Sequence, residues 1–96
     1  MTVFAVEYRY DESSAAHRDE VRPSHRAWVD GVADEGRILA SGPYEDGTGA
    51  LILFKVEDAT TLEGLLEQDP FAVAGLISST RATAWNPVSG PLAEQF

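Results

Sequence analysis

Cysteine is missing from the 96 residues, so disulfides, thiol nucleophiles and thiolate metal sites are all excluded. No apolar run approaches the ~20 residues needed to cross a bilayer. The opening Met1-Thr2-Val3-Phe4 lacks the basic start and long apolar segment of a secretory signal. Positive charge is scarce as well. Seven Lys and Arg face sixteen Asp and Glu, a formal charge of −9, which would repel a phosphate backbone and argues against a nucleic-acid partner. No G-x-G-x-x-G opens a helix and no G-x-S-x-G is present. Acidic residues come at most in adjacent pairs, without metal-loop spacing, and His17 and His25 are too few for a zinc site. No metal and no cofactor is therefore expected, and the expected setting is a soluble, cytoplasmic one.

What is present has ordinary globular composition, 44% hydrophobic and 24% charged. The length suits one domain over residues 1–96, with 88–96 as a C-terminal tail. Thr2 to Tyr10 alternates and predicts a strand, with Phe4, Val6, Tyr8 and Tyr10 on one face and Val3, Ala5, Glu7 and Arg9 on the other. Asp11 to Ala16 is a polar connection whose Ser13 or Ser14 could cap a helix; the helical pattern itself is expected from about Arg22 to Glu35, with Pro23 in the first turn and Gly36 as its stop. Short strands follow at Arg37 to Ser41 and Ala50 to Val56, separated by turn signals at Gly42-Pro43 and Asp46-Gly47-Thr48-Gly49. Asp58 to Gln68 predicts a second helix, Asp69-Pro70-Phe71 opens a turn or short helix, and Ile77 to Trp85 predicts a last strand. The order β-α-β-β-α-β is that of a ferredoxin-like α+β fold, a four-stranded antiparallel sheet with two helices on one face. The strand Ala50 to Val56 is apolar on both faces, so the sheet face away from the helices should be covered, most simply by a homodimer.

Two polar residues interrupt apolar stripes. His25 begins the stripe Trp28, Val29, Val32, Ala33, near the expected start of the first helix, and Asp69 continues the stripe Leu62, Leu65, Leu66. In this topology the two helices run antiparallel, which brings His25 and Asp69 to one end of the domain. An imidazole there can carry a proton near neutrality, and a carboxylate can fix its tautomer and stabilise the imidazolium. Arg22 is suited to hold a substrate carboxylate or enolate oxygen, and Ser41 can supply a hydroxyl. The same residues also fit plainer roles. His25 can satisfy a buried carbonyl, and Asp69 can cap the helix that Pro70 starts. One oxygen can cap while the other meets the imidazole. Trp28, Phe71 and Trp85 are expected in the core, and His17 in solvent.

The motifs Arg22-Pro23-x-His25, Glu35-Gly36-Arg37-Ile38-Leu39, Ser41-Gly42-Pro43 and Asp69-Pro70-Phe71-x-x-Ala74-Gly75 together resemble the YCII-related family of the dimeric α/β-barrel superfamily. The resemblance runs from the first strand to Trp85. It implies a ferredoxin-like fold, a homodimer and a His/Asp catalytic pair at His25 and Asp69. It also sets Gly42, Pro43 and Phe71, which lie in these motifs, beside Arg22 and Ser41 as substrate contacts. One relative is implicated in removing chloride from a chlorinated hydroxyhydroquinone without a cofactor. The turn at Tyr44 to Gly49 is short where some members carry an insertion, so substrate preference does not transfer. The expected function is a cofactor-independent lyase or isomerase acting on a small cyclic or aromatic compound. The alternatives are a non-catalytic small-molecule-binding or regulatory dimer, a purely structural dimer, and a quinol monooxygenase of the same superfamily fold.

Overall fold

The computed structural model describes residues 1–95. Strands β1 (Thr2–Arg9), β2 (Ile38–Pro43), β3 (Gly49–Val56) and β4 (Ser79–Ala84) form one sheet in the order β2-β3-β1-β4, antiparallel throughout. Helices α1 (Ala15–Asp34), α2 (Ala59–Leu66) and the single turn α3 (Pro70–Val73) complete the α+β ferredoxin-like arrangement.

The register decides which side chains form the core. Phe4 lies opposite Phe54, Val6 opposite Ile52 and Tyr8 opposite Ala50, and directly paired residues project to the same face. These six join Val56 with Val32 from α1 and Leu62 from α2 in one buried cluster. Leu51 and Leu53 therefore occupy the opposite face, with Ala5 and Glu7 as partners. At the start of β3 the backbone passes so close to β1 that a Cβ on Gly49 would sit 2.0 Å from the Tyr8 carbonyl oxygen. Only glycine fits there.

Three local expectations change. Helix α1 begins at Ala15, directly after the candidate cap Ser14, whose side chain makes no cap hydrogen bond, so Pro23 is an interior residue and not in the first turn, and His25 lies in mid-helix. The missing Pro23 N–H leaves the Asp19 carbonyl without its helical donor, normally a cost of about 3 kcal/mol. The helix tolerates it because Trp28, Val29 and Ala33 pack against the core with Val32, and tertiary packing outweighs local propensity. Gly42 and Pro43 are not a turn: both pair in β2, with Leu51 and Ala50. Proline is accepted because β2 is an edge strand. Trp85 is 42% exposed and so is not core; its backbone N–H donates to the Val3 carbonyl at 2.8 Å, just beyond β4.

Candidate functional site

Asp69 is the organising residue. Helix α2 ends at Leu66, and Asp69 is the N-cap of α3, with Pro70 at the first helical position. Its Oδ1 accepts from the Phe71 N–H at 3.0 Å and meets His25 Nδ1 at 2.7 Å. Its Oδ2 accepts from the Tyr8 hydroxyl at 2.8 Å. One oxygen thus both caps and holds the imidazole, while the second goes to a tyrosine that sequence reasoning did not single out. The carboxylate is completely buried, and three donors answer it, which is what a buried charge requires.

An ionised carboxylate only accepts, so Nδ1 of His25 carries the hydrogen and the lone pair of the neutral ring resides on Nε2. Phe71 fixes the ring plane: the two rings stack 5° from parallel with centroids 4.1 Å apart. Tyr10 meets Phe71 edge-on at 5.9 Å. The His25 side chain retains 12% exposure and lines a crevice of about 280 Å³ between α1 and β2. That crevice is also bordered by Arg22, Ser41, Gly42, Pro43 and Phe71. Ser41 and Pro43 reach it because they pair with Ile52 and Ala50, whose side chains face the helices. The fold therefore brings all seven of the residues singled out in the sequence to one place. Arg22 is also ion-paired with Asp19 on the preceding turn.

Tyr8, Tyr10, Arg26 and Asp30 belong to this neighbourhood and were not singled out in the sequence. The available signal was the core-facing alternation Phe4, Val6, Tyr8, Tyr10, in which the last two carry hydroxyls. Burial pushes the Tyr8 phenol far up, and the Asp69 charge and its hydrogen bond add to the effect. Burial likewise raises Tyr10, again reinforced by Asp69. Both hydroxyls remain neutral donors in the folded protein. Behind Tyr10, Arg18 is only 6% exposed. Its guanidinium lies 4.4 Å from the Tyr10 ring centre, donates to the Asp11 carbonyl at 2.7 Å, and also donates to the Ser14 hydroxyl. Among the described residues, no group of three or more His, Asp or Glu is placed to hold a metal ion.

The family model of the YCII-related domain matches residues 2–86. The chain belongs to the YCII-related family. A structural relative of this YCII-related chain is the 5-chloro-2-hydroxyhydroquinone dehydrochlorinase TftG from Burkholderia phenoliruptrix AC1100, in complex with 2,5-dihydroxybenzoquinone. The two superpose with a TM-score of 0.79 over 88% of this chain and 93% of that one, at 22% sequence identity. At that identity the likeness speaks for the shared fold. No curated protein matches the sequence, and no helix among the described residues is long and apolar enough to cross a membrane.

Proposed function

We propose that this chain is an enzyme that moves a proton on a small cyclic or aromatic substrate, as a cofactor-independent lyase or isomerase. The observation that carries the reading is the His25–Asp69 contact of 2.7 Å at the wall of an open crevice. His25 would act through Nε2, taking a proton from a substrate C–H or O–H. Asp69 would neutralise the imidazolium and hold its orientation, worth typically 10²–10⁴-fold for a positioned acid–base group. The face of Phe71 adds a favourable cation–π contact once the ring is charged. The proton then returns to another substrate atom in an isomerisation, or the electron pair expels a leaving group in an elimination. Arg22 and Ser41 would contact the substrate, with Gly42, Pro43 and Phe71 shaping its ring site. A dehydrochlorinase with this fold supports ring substrates as the first class to examine.

Both members of the pair come from one chain. A homodimer through the outer sheet face remains part of the proposal, motivated by Leu51 and Trp85, which are 39% and 42% exposed there. Sedimentation with Leu51→Glu tests it: a monomer is the expected result for the variant, and a wild-type monomer would refute the dimer.

The test of catalysis is hydrogen exchange. Chlorinated and hydroxylated ring compounds, 5-chloro-2-hydroxyhydroquinone first, are incubated with the protein in D2O, and deuterium incorporation and chloride release are followed. His25→Ala should lose turnover by at least about 10²-fold while retaining the fold. Turnover unchanged in that variant would end the proposal, and saturable binding without exchange would favour the non-catalytic alternative.

A further inference from the structure

Cations line the crevice of this otherwise acidic chain. Arg18, Arg22 and Arg26 follow one another at intervals of four on α1, so they stack along one ridge of the helix. This ridge holds three of the seven Lys and Arg residues in a chain of formal charge −9. Arg22 and Arg26 line the crevice directly, and Arg18 backs it through the Tyr10 ring. Asp30 is the lone acid of the lining; Asp19 is taken up by Arg22 and Asp69 is buried behind His25.

Their partners differ in an informative way. Arg22 is committed to Asp19, and the buried Arg18 is held by a carbonyl and a hydroxyl, not by a carboxylate. Among the described residues Arg26 has no ion-pair or hydrogen-bond partner, although Asp30 lies one turn along the same helix. A free guanidinium at the rim of an apolar, aromatic crevice is a forked donor set with its geometry matched to a carboxylate or phenolate oxygen.

Building on the proposed catalytic reading, we infer that the substrate is a cyclic anion, a ring bearing a carboxylate or an ionised hydroxyl, and that Arg26 selects it. The ring would lie along Phe71 and Tyr10, with the anionic oxygen toward Arg26 and the reacting atom toward Nε2 of His25. Arg26 is then a specificity residue: it sets which rings are held and leaves proton transfer to His25.

Matched pairs of probes test this without requiring turnover. Benzoate and benzamide, salicylate and salicylamide, and 2,5-dihydroxybenzoate and its amide are each titrated into the protein, with binding followed by backbone amide chemical shifts. Each anion should bind at least about ten-fold more tightly than its amide, the equivalent of one charge-assisted hydrogen bond. The preference should shrink as salt rises, and Arg26→Gln should abolish it while leaving amide binding unchanged. Arg26 is exposed on the helix surface, so the variant retains the fold. Equal affinities, a preference for the amide, no binding of any of the three anions, or a preference that survives Arg26→Gln would each overturn the inference. His25→Ala leaves the arginines in place, so anion selection in that variant is scored independently of whether anything is turned over.

Discussion

Two carboxylates in this molecule accept a hydrogen bond from a tyrosine hydroxyl, and they lie on opposite faces of the same strand. Asp69 takes the Tyr8 hydroxyl at 2.8 Å on the helix side, and Glu7 takes the Tyr44 hydroxyl at 2.6 Å on the outer side. The geometry is similar, and the surroundings are opposite. Asp69 has no exposure, and its remaining lone pairs are used by a backbone N–H and an imidazole. Glu7 also accepts from Arg9 Nε at 3.2 Å in a setting open to water, where Arg9 covers the Tyr44 ring at 5.5 Å. Water can replace any partner of Glu7. Nothing can replace a partner of Asp69 without rebuilding the core. A hydrogen bond's consequence is set less by its length than by what happens when it is removed.

The contrast can be broken most severely at Asp69→Ala. Three buried donors lose their acceptor, so stability should fall by about 3 kcal/mol or more, measured by urea unfolding. A loss below about 1 kcal/mol would mean that the Asp69 site is hydrated and no different from Glu7.

Tyr8→Phe is next. It removes one donor and keeps the ring in the core, and should cost about 1–3 kcal/mol. Tyr44→Phe is its control on the outer face and should leave the melting temperature unchanged. Similar shifts for the two variants would erase the distinction drawn between the faces.

Alkaline titration sharpens the same comparison. The three tyrosines all have raised phenol pKa values, Tyr44 chiefly through its hydrogen bond to Glu7 and the other two chiefly through burial. Folded Tyr8 keeps its proton where the unfolded chain, with an ordinary value of 10.0, gives it up. The stabilisation is therefore intact below about pH 10 and is lost as pH rises above it. The ultraviolet tyrosinate band should grow in two stages, with the half-buried surface Tyr44 ionising in the folded protein and Tyr8 only as the chain unfolds. Tyr8→Phe should reduce the second stage and leave the first intact.

The smallest effect lies on α1. Gly31 is exposed within the helix, and an added Cβ would meet nothing within 4 Å. Gly31→Ala should stabilise by about 0.5–1 kcal/mol through helix propensity and reduced unfolded-state entropy. Destabilisation would show that this surface of α1 is packed against something in solution.

Much was legible in the linear chain. Alternation in β1 and the doubly apolar β3 specified strands, and their order specified the ferredoxin-like topology, because hydrophobic period and right-handed connection are local and general rules. His25 and Asp69 stood out as polar interruptions of apolar stripes. The start of α1 was legible only as a candidate cap at Ser13 or Ser14, since Pro23 competed with it as an N-terminal signal. Gly42 and Pro43 looked like a turn because their pairing is decided by β3, not by their own sequence. Tyr8 gave no signal, because a core-facing tyrosine looks the same whether or not its hydroxyl finds a partner.

By itself, then, the sequence determined the strands, the two main helices and the side of each that avoids water, since these follow from the spacing of apolar residues along a few turns of chain. Only the tertiary structure decided that one buried carboxylate would serve α3, α1 and β1 together. That convergence joins residues 61 and 44 positions apart, and contacts at such separation depend on how helices settle on a sheet, which no local pattern encodes. It also decided that Arg22 and Arg26, one helical interval apart, would border the same crevice as the imidazole.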